Sequence, residues 1–345
     1  MNDTLIAITL LWIFVVIYSV AASFDFGAGF WSMIYLNREK TKATSIANRY
    51  LSPSWEVVNV FIVLIVVALV TFFPGATYTL GSVLLIPGSL VLLLMLIRSA
   101  FMVFSHLIHK YDKTLSIVSG ITGILVPALL ISVLPVTQGG FIHTTNGIEN
   151  LDWALFFTSP HVYAYICLAI SSTLFLSSLL LADYSYVAGE KQAFAVYRRD
   201  GTLLGPITLL MALLTVLTMK MEAKWLYDRI ITYFPWLLAS VACFFIGYIA
   251  LLIPQHRRYV LHLPRIAVIA ITVQYLLASY VYGAARLPYI VYPHVTIESS
   301  FTHPDTFHAL FICYLVGFAV LIPGFIYFWR LFMKDEHYVR QKKTH

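Results

Sequence analysis

The sequence predicts an all-α integral membrane protein of about nine transmembrane helices, built as two four-helix bundles in parallel pseudo-repeat plus one extra C-terminal helix. Three observations carry that reading. Of the 345 residues, 60% are hydrophobic and 11% charged, against roughly 25% charged in a soluble domain, so most of the surface cannot face water. Nine apolar runs approach or exceed the roughly 20 residues that a helix needs to cross a hydrocarbon core of about 30 Å. The net charge of +6 resides in short loops between those runs, which is a topology signal and not a nucleic-acid surface.

The runs are Thr4–Leu36, Ser54–Phe73, Tyr78–Phe104, Leu115–Val136, His161–Ala182, Thr202–Met219, Ile230–Ile253, Ile266–Ala285 and Phe307–Phe332. Pro53, Pro74, Pro135, Pro160, Pro206, Pro254 and Pro264 fall near their starts or stops. Pro87, Pro127 and Pro323 fall inside runs, where they are expected to kink the helix. The first run lacks a charged leader and a small-residue cleavage site, so it reads as a retained helix. Alternating loops and the C-terminal tail hold 18 of the 22 Lys and Arg residues; the other side holds Lys220, Lys224, Arg229 and Arg286. Basic loops stay inside, which predicts an outer N-terminus and a cytoplasmic C-terminus.

Run one ends in Ala22-Ser23-Phe24-Asp25-Phe26-Gly27 and run five in Leu181-Ala182-Asp183-Tyr184-Ser185, two copies of one aspartate placed 158 residues apart. Four helices lie between the copies, so both share one orientation. The expected division is a first bundle over 1–136, an extracytoplasmic loop over 137–159, a second bundle over 160–285, a second outer loop over 286–306, and a ninth helix with a basic tail over 307–345.

Cys167, Cys243 and Cys313 lie singly in separate runs and lack the spacing of a disulfide framework or zinc site. The eleven histidines avoid the middles of the runs, whereas a bound b-type haem ordinarily shows two facing mid-membrane histidines. The chain is therefore expected to bind no haem or metal, and His161 and His308, at outer helix ends, form the only histidine pair able to face each other. Gly27 and Gly29 lie in a membrane helix, where close helix packing is their natural role.

Carboxylates in or bordering the runs are functional candidates, because an ionisable group at that depth is costly unless paired, hydrated or protonated. Tyr18, Ala22, Asp25 and Gly29 share one face of run one, so Asp25 is expected to point at another helix. Glu56 opens run two with Asn59 one turn deeper, and the two with Asp25 form a candidate path for cytoplasmic protons. Glu56 also suits a first helical turn after Pro53, where an acid complements the helix dipole. Arg98 is expected either to snorkel to the interface or to pair with Asp25 or Glu56. Asp183 reads as solvated, and Asp200 as an N-cap for run six.

At these residues the chain resembles subunit II of the cytochrome bd-type quinol oxidases. The family's first-helix motif, close to G-F-D-x-G-x-G, is matched by Ser23-Phe24-Asp25-Phe26-Gly27-Ala28-Gly29 at all but its first glycine. The family's P-x-W-D-G-N-E-V-W is matched by Pro53, Trp55, the acid Glu56 and Val60. Phe73-Pro74, Pro87 and the Leu96-Ile97-Arg98 helix end with Phe101 follow in the family's order. Val57-Val58-Asn59 replaces a Gly-Asn-Glu, so one carboxylate of the usual cluster is missing, as in a divergent branch. The resemblance implies a non-haem subunit beside a subunit I that carries haems b and d and oxidises quinol while reducing oxygen to water. This chain would scaffold that partner and offer it a proton-uptake path; lipid, and a small accessory subunit, would be further neighbours. A secondary transporter with two parallel repeats is the competing class, since broken helices and buried carboxylates suit it too. A purely structural membrane partner would lack the Asp25–Glu56 path.

Overall fold

The structure, a computed structural model, describes residues 3–107, 112–145, 148–253 and 263–329. Lys110, Arg257, Arg258 and the basic tail from 330 onward lie outside the described residues, so their part in the charge asymmetry rests on sequence alone.

Among the described residues, nine helices are long and apolar enough to cross a membrane. The first bundle comprises α1 (Asp3–Ile34), α2 (Ala43–Phe72), α3 (Pro74–Val83) with α4 (Leu85–Leu107), and α5 (Asp112–Ile131) continued by the short α6 (Val133–Thr137). The 137–159 loop folds as a hairpin of β1 (Ile142–Thr145) and β2 (Ile148–Leu151), paired Ile142 to Leu151, followed by α7 (Trp153–Thr158). The second bundle comprises α8 (Pro160–Ala188), α9 (Lys191–Glu222), α10 (Lys224–Thr232) with α11 (Phe234–Leu252), and α12 (Leu263–Arg286). A second hairpin, β3 (Tyr289–Val291) with β4 (Val295–Thr296), leads into α13 (Pro304–Trp329).

Local chemistry sets the starts and stops. Ser159 accepts a hydrogen bond from the Val162 amide and Pro160 fills the first position of α8, satisfying orphan donors where proline's missing N–H costs nothing. Gly189, at φ 78°, ends that helix in the left-handed conformation that only glycine adopts freely. Asp152 caps α7 through the Leu155 amide.

Several helix limits differ from the sequence expectation. Run three is broken at Leu84, with Pro87 in the first turn of α4, because proline cannot donate back to Val83. Run seven breaks at Tyr233, just before Pro235. Helix α2 begins at Ala43 and α9 at Lys191, each about ten residues ahead of its apolar run. Pro53 and Pro206 therefore fall inside helices, Glu56 is not in a first turn, and Asp200 is not an N-cap. Charged residues on the leading turns hid these starts, since a helix projecting beyond the bilayer needs no apolar sequence there.

Helix α8 is the most enclosed span and α13 the least. Helix α1 packs on α2, α5 and α8; α8 packs on α9, α5 and α12. The bundles thus meet along α1 and α8. Small residues permit this: a Cβ on Gly27 would strike the Ser177 side chain and stand 2.8 Å from the Thr173 carbonyl of α8, and one on Gly29 would stand 2.6 Å from the Ser119 carbonyl of α5. Lipid chains are as apolar as the helices, so close packing of this kind holds membrane helices together.

Candidate proton-path site

Asp25 emerges from α1 nine residues before the helix ends, on the face already occupied by Tyr18, Ala22 and Gly29, all four buried. Its carboxylate Oδ2 meets Nη2 of Arg98 from α4 at 2.8 Å, with side-chain exposures of 2% and 5%. The same Nη2 donates to the Asp25 carbonyl oxygen at 3.1 Å, and the guanidinium lies 4.7 Å from the Phe26 ring centroid. Arg98 therefore turns inward and does not snorkel to the interface.

At such burial the two charges have left water, and the pair holds its place because each partner satisfies the other. Removing one partner of a buried pair costs about 3–5 kcal/mol. A narrow recess opens beside the pair, lined by Trp55 and Asn59 of α2 and by Met95, Ser99 and Arg98 of α4 among others. The amide of Asn59, the Ser99 hydroxyl and the ion pair give it polar walls among apolar helices, with space for about one water. Glu56 stands on the exposed surface of the chain, outside the residues lining the recess. The structure therefore brings Asp25, Asn59 and Arg98 together and leaves Glu56 at the outer edge of the same helix, one turn before Asn59.

Residues 3–332 match the family of cytochrome bd terminal oxidase subunit II. The chain belongs to that family. A curated protein of Bacillus subtilis (strain 168), provisionally named a cytochrome bd menaquinol oxidase subunit II, is 57% identical over 343 residues, covering 99% of each chain. A chain in the structure of bd oxidase from Geobacillus thermodenitrificans superposes with a TM-score of 0.82 at 35% identity, covering 97% of this chain and all of that one. A subunit II of a cytochrome bd oxidase is part of a quinol oxidase complex, and this multi-pass chain is not favoured as a free-standing transporter.

The other buried acids of this subunit II are used differently. Asp183 is 8% exposed, not solvated, and its Oδ2 pairs with Arg265 of α12 at 3.3 Å. Asp200, 6% exposed inside α9, accepts the Tyr35 hydroxyl and pairs with its neighbour Arg199 at 3.0 Å. Burial first, and then the bond to Asp200, push the Tyr35 hydroxyl up to about 12. The sequence reading missed this link from the end of α1 to the second bundle because it cut run six at Thr202. Nothing local in Tyr197-Arg198-Arg199-Asp200-Gly201 signals it.

The histidines do not form the pair that the sequence allowed. His161 is buried between the Gln138 side-chain oxygen, 2.7 Å from Nε2, and the Thr218 hydroxyl, 2.9 Å from Nδ1. His308 lies 3.2 Å from Asp3. Gln138 also donates to the hydroxyls of Tyr165 and Tyr282, so this network fastens the 137–159 loop onto the second bundle. Among the described residues, no group of three His, Cys, Asp or Glu could hold a metal ion, and the three cysteines are free thiols.

Proposed function

We propose that this chain is the non-haem subunit of a bd-type quinol:oxygen oxidoreductase in a bacterial plasma membrane. It scaffolds a subunit I bearing haems b and d and gives cytoplasmic protons a path to the oxygen-reducing site. The N-terminus lies outside and the C-terminus in the cytoplasm, as the basic loops require. The observation that carries the path is the Asp25–Arg98 pair, buried yet bordering a polar recess with Asn59.

Asp25 is the only described carboxylate at that recess, and Arg98 is its counter-ion. When the carboxylate takes up a proton, the guanidinium keeps only the Asp25 carbonyl and the Phe26 ring, so the protonated state is costly and the proton is passed on. Glu56, exposed one turn from Asn59, collects protons at the surface where the partner subunit or water meets this helix. The name of the B. subtilis relative supports menaquinol as the electron donor.

Purification in mild detergent through a tag on this chain tests the assignment. A haem-bearing partner with quinol-dependent oxygen uptake is the expected result. A colourless chain that transports a solute in liposomes would overturn it. Menaquinol analogues should outperform ubiquinol analogues in the same preparation.

A further inference from the structure

Three helices meet at the recess beside the Asp25–Arg98 pair: α1 through Asp25, α2 through Asn59, and α4 through Arg98 and Ser99. Met95 and Met102 line it too, four residues before Ser99 and three after, so these three share one face of α4. The recess has space for about one water. Its hydroxyl and its amide, from Ser99 and Asn59, belong to half-buried residues. Neither side chain has a hydrogen-bond partner among the described residues, and neither is closed off within the chain. Several serines elsewhere spend the hydroxyl on a carbonyl of their own helix, as Ser172 does on Ala169 and Ser178 on Phe175. Ser99 does not, although it stands among apolar helices where an unmade bond is costly.

We propose that Ser99 and Asn59 are positioning residues of the proton path, holding in this recess the one water from which Asp25 is protonated. An ordered water needs about two to four polar partners. Here the α2 amide, the α4 hydroxyl and the α1 carboxylate offer them from three sides. Asn59 carries an acceptor oxygen and a donor nitrogen, and the Ser99 hydroxyl both donates and accepts. Together they hold the water in either orientation, before transfer and after it. A proton reaching the water from the open side of the recess leaves it toward the Asp25 carboxylate, and the water is restored. Asn59 and Ser99 keep their own composition throughout. Both are neutral, so neither competes with Asp25 for the proton nor repels it.

This inference rests on the proton-path reading, and the choice of variants separates the two. In the holoenzyme, Ser99→Ala removes a single oxygen, and Asn59→Leu removes both polar atoms at nearly constant volume. If these side chains only fill space, exchanging unpartnered polar groups for apolar ones leaves turnover unchanged and stability equal or higher. The proposal expects oxygen uptake to fall roughly fivefold in each variant, the rate equivalent of one hydrogen bond. A larger solvent deuterium isotope effect should accompany it, with an unaltered haem spectrum and a melting temperature no lower than that of the wild type. Wild-type turnover and isotope effect in both variants overturn the proposal, as does a rate loss matched by a drop in melting temperature. If Glu56→Gln slows uptake while Ser99→Ala and Asn59→Leu do not, only this inference falls; if none of the three slows it, the path through this chain falls too. A high-resolution map of the holoenzyme gives an independent reading. Water within hydrogen-bond distance of Ser99 Oγ and the Asn59 amide supports the proposal. A dry recess, or one filled by lipid or by the partner subunit, overturns it.

Discussion

At the scale of single residues, the ion pair decides how the site responds to substitution. Asp25→Asn leaves Arg98 charged and buried with only a carbonyl and an aromatic face, so it should destabilise the subunit by about 3–5 kcal/mol as well as slow oxygen reduction. Thermal melting of the purified oxidase should show the first effect, and oxygen uptake the second. Adding Arg98→Met removes the stranded charge and should recover most of the melting temperature without recovering turnover. Recovery of both would mean that the pair serves packing alone. Glu56 behaves differently because it is exposed on α2. Glu56→Gln should leave stability within about 0.5 kcal/mol and still slow proton uptake, measured as the pH change on a burst of oxygen.

At the scale of elements, the contact of α1 with its neighbours leaves no room for a side chain. The Cβ of Gly29→Ala would press on a backbone carbonyl of α5, which cannot rotate away, so α1 and α5 must separate. A loss of about 1–3 kcal/mol is expected, as for overpacked cores, read as a lower melting temperature. A neutral Gly29→Ala would show that the helices are less tightly engaged than these distances imply. The broken spans follow from proline as well: Leu84 and Tyr233 interrupt helices that the apolar sequence would have continued. The Gln138 network explains why a polar loop of irregular backbone stays folded, since its buried amide finds three side-chain partners.

At the scale of the whole molecule, Tyr35 and Asp200 join the C-terminal end of α1 to α9. The folded hydroxyl titrates near 12, above the ordinary value of 10.0, so the folded state holds its proton where the unfolded state has begun to lose it. Stability from this bond is therefore complete below pH 10 and fades as pH climbs through about 12. Tyr35→Phe should lack that alkaline component when melting temperature is followed from pH 9 to 12. The exposed Lys42–Glu190 bridge nearby, at 2.8 Å, should contribute little, as surface pairs do.

Amino-acid order alone determined the membrane class, the nine spans and the family, because each is written in one dimension. Run length answers to bilayer thickness, and the Phe24-Asp25-Phe26-Gly27-Ala28-Gly29 stretch is contiguous. Tertiary structure alone decided what Asp25 faces, that Glu56 turns outward, and that Asp183 and Asp200 are buried in pairs. Those outcomes depend on the rotation of each helix about its axis and on where charged first turns begin. Both are set by packing between segments far apart in the chain, so no local pattern of residues records them.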